Sequence, residues 1–346
     1  MAGRKRKSRK KKGLGVAGFL AGILLLAPIA AGAAAWLVLT PYKPEKAVLL
    51  NVTPGSSTER IGRELEEAGV VRSRFAFDLV RLWRHGTLKA GEYKFEGPAT
   101  VAEVYGKIER GDVFTVSVTI PEGANIFDIA ARLEQAGLGT RQGFIETAEE
   151  RVGLVADLDP EAKSLEGYLF PDTYRFAPDA TDEQMAAAMV HRFRQVAGEL
   201  GLKQNIHRVV TIASLVERET AVNAERPLVA SVFENRLAKN MPLMSDPSVI
   251  YGLELDSRWR GAIHKSDLVF DTAYNTYLHA GLPPGPVANP GIPSLRAAMD
   301  PAKTDFLYFV AAGIDPQGKS LFSATLGEQN KNVAGYRKAL KKAGKR

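Results

Sequence analysis

Twenty-seven consecutive residues, Gly13 to Leu39, carry no charged side chain. A helix of about 20 apolar residues already spans the hydrocarbon core of a bilayer, so this run constrains the chain more than any other stretch. The apolar region of a signal peptide is shorter, about 7–15 residues. Trp36 and Leu37–Leu39 also continue past the small-residue stretch Ala30–Ala35, where a cleavage site would lie. The segment is therefore predicted as an uncleaved, single-pass transmembrane helix over 13–40. Eight basic residues lie between Arg4 and Lys12. By the positive-inside rule they hold the N-terminus in the cytoplasm. Everything after Thr40 is then expected outside the cell inner (plasma) membrane. Without this tail the formal charge of +7 falls close to neutral, so the charge does not argue for nucleic acid as a partner.

At 346 residues the chain is long enough for two folded units. It has no cysteine and only five histidines, none in H-x-x-x-H spacing. Disulfides and thiolate metal sites are excluded, and no metal site is expected. No glycine-rich phosphate loop follows a strand, so no cofactor is expected either.

Pro41–Glu45 reads as an extended spacer leaving the membrane. A weak repeat follows, aligning Val52–Val70 with Ile120–Leu138: Ile61 meets Ile129, Leu65 meets Leu133, and Ala68-Gly69 meets Ala136-Gly137. Each copy reads as strand, Pro/Gly turn, helix and glycine C-cap. Between them a strand is predicted over Gly91–Phe95, a helix over Thr100–Arg110 ending at Gly111, and a strand over Val113–Ile120. Such strand–helix units serve both glycan-binding modules and inert spacers; Tyr93, Phe95 and Tyr105 suit either a binding surface or a core. From about Arg151 the composition changes. Leu165–Phe176 is extended and aromatic-rich, and the stripe Met185, Met189, Phe193, Val196, Leu200 marks a long core-facing helix. A further helix over about Ala224–Lys239 takes Pro227 in its first turn.

The chemistry concentrates at Thr211–Thr220, T-I-A-S-L-V-E-R-E-T. At about 100° per residue, Ile212, Leu215, Val216 and Glu219 share one stripe, while Glu217 lies on another side with Ala213. Glu219 is thus aimed at the core or a cleft, where a carboxyl's pKa rises and it becomes a proton donor near neutral pH. Pairing with Arg208 or Arg218 would instead make it a structural ion pair. Downstream lie M-S-D-P-S-V-I-Y-G (Met244–Gly252), A-Y-N-T-Y (Ala273–Tyr277) and the stiff loop G-L-P-P-G-P-V-A-N-P-G (Gly281–Gly291). Stiff loops carry binding residues on many scaffolds, and tyrosine and asparagine suit a ligand rich in hydroxyls. Glycoside hydrolysis usually takes a second carboxylate. Asp246, Glu225 and Glu217 are the partners on offer, but i and i+2 side chains of a helix diverge, which disfavours Glu217.

These segments, with E-G-Y-L-F-P-D-T-Y (Glu166–Tyr174) and an N-terminal anchor, resemble the MltG (YceG-like) endolytic murein transglycosylase family. The resemblance runs from the membrane segment to about Tyr336 and is strongest over 165–310. It implies an α+β fold class: a single N-terminal transmembrane helix, a small LysM-like α/β subdomain near the membrane and a mixed α+β catalytic domain. The expected boundaries are a basic tail over 1–12, the anchor over 13–40, the LysM-like part over 41–150 and the catalytic part over 151–346. It implies a lyase that cleaves the MurNAc–GlcNAc bond within nascent peptidoglycan strands, forms 1,6-anhydro ends and terminates glycan elongation. It carries the catalytic acid onto Glu219, with Glu217 as the fallback, and makes Asp246, Tyr251, Tyr274, Asn275 and Glu166 substrate-binding residues. Peptidoglycan synthases are partners by resemblance only. Two rival readings stay open: a muramidase-type hydrolase using Glu219 with Asp246, and a membrane-anchored, non-catalytic peptidoglycan-binding scaffold.

Overall fold

The computed structural model describes residues 16–315 and 318–344, and these form a mixed α+β chain in two compact units that meet at Thr115/Val116. The predicted basic tail and the first residues of the predicted anchor lie outside the described residues.

The first unit contains α1 (Val16–Leu39), β1 (Val48–Val52), α2 (Thr58–Glu67), α3 (Arg74–Arg84), β2 (Gly91–Phe95) and α4 (Val101–Arg110). β1 pairs antiparallel with β2, Leu50 opposite Tyr93. Leu50, Val52, Ile61, Leu65, Phe77 and Tyr105 close the core beneath them. Tyr93, Phe95 and Tyr105 are all buried, so they are core and not a sugar platform. α4 starts at Thr100, whose hydroxyl caps the Glu103 amide while Glu103 reaches back to Thr100, and ends on left-handed Gly111. α1 is uncharged and contains Pro28. Among the described residues no helix is long and apolar enough to cross a membrane.

The second unit opens with β3 (Val116–Thr119), α5 (Ile126–Gln135) and α6 (Arg141–Glu150), and β3 pairs antiparallel with β4 (Thr173–Phe176). The repeat therefore marks two β-α-α-β arrangements. Gly55 and Gly123 take matching left-handed turns, and Gly69 and Gly137 close matching helices with positive φ. Ile61, Leu65, Ile129 and Leu133 are buried alike. The compact units divide at 115/116, because the β3–β4 pairing and the packing of α6 on α7 (Asp182–Leu200) tie residues 116–150 to the second unit. There follow α7 (Asp182–Leu200), α8 (Ile206–Glu219), α9 (Arg226–Ala238), α10 (Asp246–Leu255), α11 (Ile292–Met299), a hairpin of β5 (Tyr308–Ala311) and β6 (Ser320–Ser323), and α12 (Leu326–Lys342). α8 is the central element: Val210, Ile212, Ala213, Leu215 and Val216 are buried on several of its sides, and α9, α10 and α11 pack against it.

Candidate active site

The two glutamates at the end of α8 diverge as helix geometry requires. The Glu217 side chain is buried, pairs with Arg226 Nη1 at 2.7 Å and accepts the Gly291 amide at 2.9 Å. Both contacts fall on Oε2 of a buried side chain, so Glu217 braces the Gly281–Gly291 loop. Glu219, the last residue of α8, is half-buried at the wall of a cavity of about 420 Å³ bordered by Thr220, Val222, Phe309, Ala311 and Tyr336. Arg208 does not reach it; Arg208 pairs with Glu234 on the surface, which removes that competing structural role for Glu219.

Glu219 Oε1 accepts the Ser245 hydroxyl at 2.6 Å. Ser245 is the N-cap residue of α10, yet its side chain makes no cap bond. It is held by its backbone: its amide donates to Thr276 Oγ1 at 3.0 Å, and its carbonyl accepts the Ser248 hydroxyl at 2.7 Å. Ser248 and Thr276 complete the triangle at 2.8 Å, and all three residues are buried. Met244, just before Ser245, has φ 51°, a left-handed backbone at a non-glycine residue. Asp246 starts α10 and accepts the Tyr277 hydroxyl at 2.6 Å. On the other side Arg236 donates to the carbonyls of Leu307 and Leu243, each at 2.7 Å.

Burial pushes the Glu219 carboxyl up to about 7; the Ser245 hydrogen bond opposes this, the negative charge of Asp246 adds to it, and Arg236 pulls it down. The result is a carboxyl that is protonated and ionised in comparable amounts near neutral pH, the condition for one group to serve first as acid and then as base. Among the described residues, no group of three or more His, Cys, Asp or Glu side chains stands where it could hold a metal.

The other predicted residues are placed differently. Asn275 is fully buried. Its amide donates to the Leu268 and Phe270 carbonyls at 3.1 and 2.8 Å, and its oxygen accepts the Tyr277 amide at 3.0 Å. It shapes the A-Y-N-T-Y turn, while its neighbours Thr276 and Tyr277 reach the site. Glu166 is buried and accepts the Ile126 amide at 2.9 Å and Asn289 Nδ2 at 2.8 Å. Burial raises it to about 8, with Ile126 and Tyr251 pulling the other way. Next to it Tyr251 and Tyr274 meet edge to face at 4.9 Å, and both line a separate cavity of about 390 Å³ with Phe127, Lys163 and Pro284. The structure thus gathers Glu219, Asp246, Ser245, Tyr277 and Arg236, and keeps Glu166, Tyr251 and Tyr274 elsewhere.

The proline-rich loop also differs from expectation. Most of it is buried. The Val287 amide donates to Ser214 Oγ on α8 at 3.0 Å, Asn289 Oδ1 accepts the Leu169 amide at 2.8 Å, and Asn289 Nδ2 donates to Ala124 O at 3.0 Å. A loop whose polar groups are satisfied this way is an internal strut. Gly167 is required beside it: its φ is +89°, and an added Cβ would come within 2.5 Å of Pro286.

The YceG-like family matches residues 50–335. An endolytic murein transglycosylase of Bacillus subtilis (strain 168) is 32% identical over 320 residues, 84% of this chain and 84% of that protein. One from Streptococcus pneumoniae (strain D39) is 31% identical over 326 residues, 84% of this chain and 58% of the longer relative. A crystal structure of a putative YceG-like protein from Listeria monocytogenes superposes with a TM-score of 0.54 at 32% identity, covering 83% of this chain and 99% of that one. With its match spanning both compact units, this chain belongs to the YceG-like family.

Proposed function

We propose that the chain is an endolytic murein transglycosylase, a lyase that cuts the MurNAc–GlcNAc bond inside peptidoglycan strands and leaves 1,6-anhydro-MurNAc ends. One observation carries this reading: the Glu219 carboxyl stands at a cavity wall, raised to about 7 and bonded to Ser245. The relatives named endolytic murein transglycosylase support it at 31–32% identity. In the proposed reaction protonated Glu219 donates to the glycosidic oxygen as its bond to the muramic C1 breaks. The developing positive charge at C1 is shared with the substrate's own N-acetyl group. Glu219, now ionised, takes the proton of the C6 hydroxyl of the same muramic sugar, whose oxygen closes onto C1. The carboxyl ends as it began, and no water is consumed. Defined glycan strands test this: wild type shortens them by internal cuts, and Glu219→Gln, which keeps the Ser245 bond, leaves them intact.

The rival hydrolase reading has one observation in its favour, the nearby charge of Asp246. Its Oδ1 already accepts from Tyr277, which makes it a partner in tuning Glu219 better than a base for water. A non-catalytic scaffold gives no reason for a half-buried carboxyl at a cavity wall.

Anchoring belongs to the same proposal. The reading rests on the whole uncharged run of the sequence and the basic block before it. Leu24, Leu25, Leu26 and Ile29 on α1 are exposed, as lipid-facing side chains would be. The N-terminus is then cytoplasmic, and the chain after Thr40 lies outside the membrane. The antiparallel β1-α2-α3-β2 arrangement supports a LysM-like assignment for the first unit, and wall synthases are proposed as partners.

A further inference from the structure

α3 buries Ala76, Phe77 and Val80 in the first unit, yet it carries a second apolar face that stays largely exposed among the described residues, with Arg74 stacked over Phe75 at its edge. Phe75, Leu79, Leu82 and Trp83 are 64%, 45%, 69% and 77% exposed. At 3.6 residues per turn these four fall within an arc of about 100°. Four large apolar side chains on one arc of one helix are a contiguous patch, which a protein surface seldom leaves to water.

The surroundings of this face identify what covers it. α3 packs directly on α1. Just ahead of α3, Arg72 stacks over Trp36 of α1 at 4.7 Å and donates to the carbonyls of Thr40 and Pro41, where α1 ends, at 3.2 and 3.3 Å. Trp36 and Leu39 are themselves exposed, so the apolar surface of α1 stands close to the helix that carries the patch. Residues 72–89 hold Arg72, Arg74, Arg81, Arg84 and Lys89 against one acid, Asp78, with Arg74 paired to Glu59 and Arg84 to Glu109. An apolar stripe with tryptophan, flanked by basic side chains, is the pattern of a helix lying in the headgroup layer of an anionic membrane.

We infer that α3 is an interfacial helix: Phe75, Leu79, Leu82 and Trp83 dip into the outer leaflet of the bilayer that α1 crosses, and fix the first unit flat against it. This rests on the anchoring reading. It gives the apolar face a function that a tether alone does not.

The absence of native cysteine makes the test direct. Nitroxide labels are placed singly at Phe75→Cys and Leu82→Cys, with exposed Glu150→Cys as the aqueous reference, in the full chain. The protein is reconstituted into phosphatidylethanolamine–phosphatidylglycerol vesicles, and label accessibility to oxygen and to a nickel chelate is measured. The result expected is oxygen access with nickel access severalfold below the reference at both α3 sites. Nickel access equal to the reference, in protein that resists alkaline carbonate extraction, overturns the docking and leaves the anchor standing. Shielding from both reagents also overturns it, since another protein surface then covers the face. Protein that carbonate releases from the vesicles ends the anchoring reading, and the docking with it.

Discussion

Ser245 gives its hydroxyl to Glu219 at 2.6 Å in place of capping α10. Through the Thr276 and Ser248 bonds this one contact joins the A-Y-N-T-Y turn and the M-S-D-P-S segment to the proposed acid. Burial favours the neutral form of Glu219 and the Ser245 hydroxyl favours the ionised form; burial outweighs it, and the carboxyl stands at about 7.

Removing that hydroxyl tips the balance. Ser245→Ala is expected to raise the Glu219 pKa further, so the alkaline limb of the kcat/KM profile moves to higher pH. The rate at the optimum falls roughly tenfold, the factor carried by one hydrogen bond of about 1.4 kcal/mol. A pH–rate series on both proteins checks this; an unmoved limb would separate Ser245 from the chemistry.

The same raised pKa has a consequence for stability. The folded carboxyl titrates near 7 and the unfolded one near 4.5, so the stability of the neutral form is complete below about 4.5 and is lost as pH rises through 7. Glu219→Gln cannot ionise and escapes this loss. The variant is expected to match wild type in thermal unfolding at pH 4 and to exceed it at pH 8, by up to about 3 kcal/mol. Catalysis falls by roughly 10²–10⁴-fold. Scanning calorimetry at the two pH values gives the comparison.

Glu217 is predicted to behave in the opposite way. Truncation to Ala leaves Arg226 buried without its partner, at a cost of about 3–5 kcal/mol. Replacing both partners by apolar residues, Glu217→Leu with Arg226→Met, is expected to recover much of that loss. Urea melts of the two variants decide whether Glu217 is a brace; equal losses in both would argue against the ion pair as the cause.

Within A-Y-N-T-Y the effects should divide by neighbour. Asn275→Ala strands the Leu268 and Phe270 carbonyls and is expected to lower stability by about 1–3 kcal/mol. Thr276→Val removes the acceptor of the Ser245 amide and should shift the pH profile as well. Melting temperature and pH profile, measured side by side, show whether the two are distinct.

Much of this site was readable beforehand. Helical periodicity separated Glu219 from Glu217, since a buried helix must send i and i+2 side chains apart. The repeat foretold two matching turns because Gly55 and Gly123 supply the same left-handed backbone. Other features left no such trace. Asp246-Pro247 suits a turn as well as a helix start, and in the structure the proline sits in the first turn of α10. The Y-N-T-Y run does not reveal which neighbour turns inward, because a turn has no fixed period. The proline loop looked exposed, and only the bonds of Asn289 and Ser214 make its burial possible. α3 is apolar on both its inner and outer faces, which blurs the single stripe that marks a helix against a core.

The central claim is that Glu219 works alone, with the C6 hydroxyl and not water as the nucleophile. Mass spectrometry of the new ends formed on defined glycan strands tests it most directly. The account predicts 1,6-anhydro-MurNAc ends, lighter by one water than reducing ends, formed by wild type and absent with Glu219→Gln. Reducing ends from wild type, lost on Asp246→Asn, would contradict it and establish a two-carboxylate hydrolase.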